Sequence, residues 1–228
     1  MSLRVRVVTL VVAFAAVVAV VTFVVVRYLL AGPPVEDYTS KASGGQVNVT
    51  LQTTPETTVS TRPDWVSYFI KNPQTGQWDH STLLKVPANT RVNVTILAYD
   101  GCTPLRNPLW GKVMGTIGGV EYVDGRAVTT LNSWSACTVQ HTFAIPGLGL
   151  SVPVASPTTV KENNNLCATA PCTLSSPHKV VQFSFRTPAS GGTFVWQCRV
   201  PCGGGFLYGN GGPMSTYGYM MGQMEVAS

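Results

Sequence analysis

The chain has 228 residues, 45% of them hydrophobic and 11% charged, and a formal net charge of +5. Arg4, Arg6 and Arg27 belong to an N-terminal segment without acidic residues, which leaves twelve basic against ten acidic residues, a net +2, for the remainder. That balance, with no Lys/Arg cluster, argues against a nucleic-acid partner. Three histidines and no Ser/His/Asp or paired-carboxylate arrangement make the chain a poor hydrolase candidate.

In chain order, the first element is apolar. From Val7 to Leu30 the residues are almost all Val, Ala, Leu and Phe. A membrane-spanning helix needs about 20 such residues. Arg4 and Arg6 precede the run and place the N-terminus in the cytoplasm, while Arg27 and Tyr28 can reach the far interface. No charge falls mid-span, so the helix has no proton or redox role. A cleaved signal has a core of about 7–15 apolar residues and a small-x-small cleavage site. This run is longer, and Tyr28–Pro33 is a poor site. Residues 1–31 therefore read as a retained single-pass anchor in the cell membrane. Residues 32–45 read as a Pro/Gly/Ser-rich linker, and residues 46–228 as one domain on the extracytoplasmic side.

The domain has strand character nearly throughout. Gln46–Gln52 and Arg91–Ala98 alternate apolar and polar residues with period two. Trp65–Ile70 is short, aromatic and β-branched, and Asn72–Gly76 is turn chemistry. Leu83–Pro87, Val139–Ile145, Val180–Phe185, Thr193–Gln197 and Met220–Val226 complete the predicted strands. Met114–Val123 reads as part of a hairpin turning at Val123–Arg126. Ser156–Pro177 reads as a long polar loop. No helical periodicity or internal repeat follows residue 45. Short strands separated by Gly/Pro turns predict an all-β sandwich or barrel, and about 190 residues suffice for one core.

Six cysteines in an exported chain point to disulfides or metal ligands. Cys102 with Cys137 and Cys167 with Cys172 read most simply as loop-clamping disulfides, although six cysteines allow about 15 pairings. Cys198 and Cys202 stand four apart at a strand end, and His141 opens an earlier strand. Sulfur and imidazole together are the donors of a copper electron-transfer site.

Three stretches resemble the cupredoxins, and more specifically cytochrome c oxidase subunit II. Leu84–Asp100 is similar to the family's x-V-P-A-G-x-x-V strand pair. His141–Gly149 is similar to its H-S-F-x-V-P-x-L-G segment. Gly192–Gly203 is similar to its G-x-Y-x-x-Q-C-x-x-x-C-G. The resemblance implies a Greek-key cupredoxin-like sandwich with one N-terminal transmembrane helix. It further implies a copper centre, other membrane subunits of a respiratory oxidase as partners, and an electron donor protein. A single anchor also occurs in some of these subunits.

The candidate copper ligands are His141, Cys198, Cys202 and Met220, with Met214 as an alternative sulfur. The family pattern C-x-x-x-C-x-x-x-H-x-x-M departs here: Phe206 and Gly209 take the histidine and methionine places. Aligned from the closing strand, Tyr217 replaces the histidine and Met220 keeps the methionine place. Val200 stands where a carbonyl ligates. His80 and His178 occupy no ligand place by sequence.

Two readings follow. In one, copper binds an altered site that passes electrons. In the other, copper is absent, Cys198 and Cys202 form a short disulfide or stay as buried thiols, and the domain is structural. A stand-alone anchored copper carrier or chaperone is the alternative class. Gly203–Gly212 lacks the Gly-Lys-Ser/Thr ending of a phosphate loop. The methionine-rich end reads as core packing. The sequons at Asn48 and Asn93 fall in predicted strands and are discounted.

Overall fold

The computed structural model describes residues 2–29, 32–55, 65–131, 136–159, 166–167, 169–202 and 211–228. It divides into two compact units, Met1–Gly32 and Pro33–Ser228. The first unit is α1, Leu3–Val24, continued by a wider turn over Val25–Leu29. None of the residues of α1 is buried. Leu3–Arg27, 25 residues, is long and apolar enough to cross a membrane, a property that anchors and signal sequences share.

The second unit contains, in chain order, β1 (Val35–Asp37), β2 (Gln46–Thr54), β3 (Ser67–Lys71), β4 (Trp78–Asp79) and β5 (Leu83–Pro87). β6 (Arg91–Ala98), β7 (Glu121–Val123), β8 (Arg126–Val128), β9 (Val139–Ile145) and β10 (Leu150–Ala155) follow. β11 (Lys179–Arg186), β12 (Gly192–Gln197) and β13 (Met221–Ala227) close the chain. Among the described residues they make two sheets, ordered β1-β5-β13-β12-β9-β10 and β4-β3-β2-β6-β11-β7-β8. The chain changes sheet between β1 and β2, β4 and β5, β5 and β6, β8 and β9, and again on both sides of β11. This is the expected all-β sandwich. Its interior is filled by alternate residues of the strands, such as Val47, Val49 and Leu51 of β2 and Val92, Val94 and Ile96 of β6, its neighbour in the same sheet.

Several sequence expectations need correction. Residues 33–45 are not simply a linker. β1 pairs in parallel with β5, and Tyr38 is buried in the core, its hydroxyl donating to the Lys71 carbonyl. β10 was not expected, because Pro153 interrupts its pattern. It lies at a sheet edge, where a missing N–H is tolerated. The hairpin turns where predicted, at Asp124-Gly125, but its strands are β7 and β8. Met114 makes only an isolated bridge to Ser151.

The turn after β4 locks two sheet neighbours together. The Thr82 carbonyl accepts from Trp196 Nε1 at 3.0 Å and from Gln223 N at 3.2 Å. Gly222 passes so close that a Cβ there would lie 1.8 Å from that oxygen. The obstacle is backbone on both sides and cannot rotate away. Gly222→Ala is therefore expected to cost stability at or above the upper end of the roughly 1–3 kcal/mol typical of overpacking. A denaturant midpoint within error of the wild type would contradict this close approach.

Two carboxyls are buried away from the centre described below. Glu36 of β1 and Asp79 of β4 influence each other across an edge of the sandwich. Burial first, and Asp79 second, push the Glu36 pKa up to about 7. Glu121 is fully buried, with neither oxygen partnered among the described residues, and burial pushes its pKa up to about 9. A raised carboxyl favours the fold when protonated. Its contribution is complete below the ordinary value of 4.5 and is lost as pH rises toward about 9. Stability should therefore fall across that window, with a limiting slope of roughly 1.4 kcal/mol per pH unit for Glu121. In denaturation series at several pH values, Glu121→Gln should make the fall across this window less steep.

Candidate metal centre

His141 lies on β9, all seven residues of which are buried. Cys198 follows the last residue of β12, where Gln197 pairs with Ala144 of β9. The two strands are therefore neighbours at the level of the site. The turn after β12 is held from three sides. Cys198 N donates to the Met220 carbonyl at 2.9 Å, and Arg199 N to Thr142 Oγ1 at 2.7 Å. Thr142 N donates to Cys198 Sγ at 3.5 Å.

This brings three of the expected donors together. His141 Nδ1 is 3.9 Å from Cys198 Sγ, and the two sulfurs are 3.5 Å apart. The donor atoms of His141, Cys198 and Cys202 all lie within 4.8 Å of one another, and all three residues are buried. Cys198 and Cys202 are buried and not joined in a disulfide, so of the two alternatives, a short disulfide or buried thiols, the structure shows the second. The other four cysteines pair as expected, Cys102 with Cys137 and Cys167 with Cys172.

Sequence reasoning missed the carboxylate behind the histidine. Asp100 Oδ2 accepts from His141 Nε2 at 2.9 Å, both groups being buried. With Nε2 so engaged, Nδ1 is the ring nitrogen left to face the sulfurs. A signal for Asp100 did exist. It stands two residues before Cys102, and His141 stands four after Cys137, so the expected disulfide draws the two toward each other. Tyr68 was also missed. Its hydroxyl donates to the Thr142 carbonyl at 3.3 Å, and burial and the Cys198 and Cys202 sulfurs raise its pKa.

The electrostatics favour separated charges. Burial alone pushes the His141 pKa down, but hydrogen bonding and charge from Asp100 and Cys198 outweigh it and lift the value to about 9. Burial pushes the Cys198 thiol up. Hydrogen bonds from Cys202 and His141, together with the histidine charge, pull it well below its ordinary value. Both shifts favour the imidazolium form of His141 and the thiolate form of Cys198, with the Cys202 thiol donating to Cys198.

Copper is the metal the sequence resemblance implies, and the donor set fits it. Metal–ligand distances near 2.0–2.3 Å put two donors of one ion roughly 3.3–3.9 Å apart, and the observed 3.5 and 3.9 Å fall in that range. One imidazole and two thiolates are soft donors suited to Cu(I). The Val200 carbonyl oxygen lies 3.4 Å from Cys198 Sγ and stands at the turn, at the carbonyl position the sequence resemblance implies.

The remaining expected positions divide as follows. Met220 is fully buried and adjoins the site through its carbonyl. Met214 is buried, and its carbonyl accepts from Gln197. Tyr217 is not a ligand. Its hydroxyl accepts from Gln223 Nε2 at 2.8 Å. His80 stacks between Phe69 and Tyr219, and His178 stacks on Tyr99 with Nδ1 at the Ser176 carbonyl. Neither joins the cluster among the described residues. Phe206 and Gly209 lie outside the described residues.

No protein-family model and no curated relative matches this chain. Solved structures do. Reduced rusticyanin is 15% identical and matches over 81% of each chain with a TM-score of 0.31. Rusticyanin from Thiobacillus ferrooxidans is 16% identical over 81% of this chain and 79% of that chain, with a TM-score of 0.31. A rusticyanin variant is 16% identical over 84% and 82%, with a TM-score of 0.34. At this level of similarity no activity carries over.

The cysteine chemistry can be checked by titration. In denaturant with a chelator and no reductant, two thiols should react per chain, and six after reduction. A count of zero before reduction would mean that Cys198 and Cys202 are oxidised in the isolated protein.

Proposed function

We propose that this chain is a membrane-anchored copper protein of the electron-transfer class. In this reading it is a subunit II-like component of a respiratory haem-copper oxidase. The apolar N-terminal helix is its anchor, the sandwich lies on the extracytoplasmic side, and an external donor protein supplies electrons. One observation carries the proposal: His141, Cys198 and Cys202 converge in the core with neither sulfur in a disulfide. His141 through Nδ1 and the two sulfurs would hold the metal, with Met220 beside them. Bound copper would supply one-electron chemistry.

The protein's own groups do the rest. Asp100 keeps the ring aimed, as partners behind metal-bound histidines commonly do. Thr142 N–H donates to the Cys198 sulfur, and the surrounding core excludes water. Burial also separates this reading from a copper chaperone. A carrier that hands its metal on needs accessible ligands, whereas His141 and Cys198 have almost no exposed surface.

The test uses the full chain in mild detergent, loaded with copper and desalted. Stoichiometric copper and a visible sulfur-to-copper absorption band are expected, and Cys198→Ser should remove both. Wild-type protein that retains no copper, or shows no such band, would sink the electron-transfer reading. Purification from native membranes should bring haem-containing subunits with the chain. Their absence would leave a stand-alone carrier.

A further inference from the structure

Gln140 is fully buried on β9, where an aliphatic side chain would fill the core without needing any partner. Its amide is instead well bonded. Oε1 accepts from Thr53 Oγ1 at 2.6 Å and from Asp100 N at 3.2 Å, and Nε2 donates to the Ala155 carbonyl at 2.8 Å. One side chain thus ties β2 of one sheet to β10 of the other and to the segment carrying Asp100.

The backbone explains how it reaches them. In the β9–β10 ladder His141 pairs with Val154 and Val139 pairs with Ala155, so Gln140 is the extra residue of a β-bulge. Bulges re-aim side chains and recur beside functional sites. This one immediately precedes His141. Asp100 is fixed from other directions as well. Gly101 N donates to its Oδ1 at 2.6 Å, and Ser156 Oγ to its carbonyl at 3.0 Å.

We propose that Gln140 is the positioning residue of the centre: its bulge-directed amide holds the Asp100 main chain, so that the carboxylate meets His141 Nε2 and Nδ1 faces the sulfurs. Gln140 touches neither the sulfurs nor the imidazole. It acts through Asp100. The proposal rests on the metal-centre reading for its effect on copper, but its effect on the His141 ring does not depend on any metal.

The experiment compares full-length wild type, Gln140→Met and Gln140→Asn in detergent. Met removes the amide at similar length, and Asn withdraws it by about one bond. Val47→Ala is the control for stability loss. Val47 is a buried residue at the far end of β2 from Thr53, about 20 Å along the strand.

Two quantities are read. The first is hydrogen exchange of the His141 Nε2 proton by NMR in metal-free protein. The second is Cu(I) affinity against a competing chelator. Both Gln140 variants should speed the exchange at least tenfold and weaken Cu(I) by the roughly 10–100-fold seen when groups behind metal ligands are lost. Val47→Ala should lower the melting temperature while leaving both readings within about twofold, since distant sites rarely couple.

If the Gln140 variants lose stability but match Val47→Ala in both readings, Gln140 is only a core residue and the proposal falls. If Gln140→Met does not fold, Gln140→Asn decides by the same criteria. If wild type takes no copper, the function reading fails, and the Nε2 proton still decides the role of Gln140.

Discussion

The hydrogen bond between Asp100 and His141 sets the constraint that organises this end of the sandwich. Its partners are 41 residues apart and both are buried. A carboxylate and an imidazole cannot be taken from water without compensation. Each must therefore be met by further fixed groups, and the local architecture provides them. Asp100 lies just beyond β6, and its carboxylate is met by the Gly101 N–H. His141 is met by the Cys198 sulfur. The Cys198 turn is in turn held by Thr142 and by the Met220 carbonyl. Removing any one member leaves a charge or a donor unpaired in a low-dielectric interior, so the cluster forms as a unit.

The disulfide between Cys102 and Cys137 belongs to the same constraint. It closes the excursion that contains β7 and β8 and returns the chain to β9 with His141 in reach of Asp100. Cross-linking mainly limits the unfolded ensemble, by about 3–4 kcal/mol for a loop of this length in the entropic account. The second bridge, Cys167–Cys172, packs on Tyr99, the residue before Asp100. The two bridges thus brace the Tyr99–Asp100 segment, which bears on the centre rather than on the sandwich at large.

Much of the fold was legible because period-two patterns survive wherever one sheet face is buried. Along β6 every second residue is buried and those between are exposed or half-buried, and its sequence Arg91–Ala98 alternates accordingly. Legibility failed where the inward residue was not apolar. In β1 the buried position is Glu36, so the strand looked like linker. β10 is buried along its whole length and carries Pro153, which hides it from both pattern and propensity. The site divides in the same way. His141, Cys198 and Cys202 were visible because few other residues do their chemistry. Asp100 and Gln140 were not, because carboxylates and amides are ordinary in loops and strands, and only tertiary contact gives them a role.

The centre also narrows the distance between the copper and metal-free readings. Without metal, Cys198 faces two proton donors, the Cys202 thiol and the His141 ring, and both favour its charged form. A cation placed among the same atoms takes over that role. Metal binding therefore amounts to an exchange of protons for the ion, with donor spacings of 3.5 and 3.9 Å already near those a single ion requires. The buried thiolate needs a positive partner in either state. A partner that binds through three soft donors, without a fourth strong one, favours the reduced, low-coordinate form of copper.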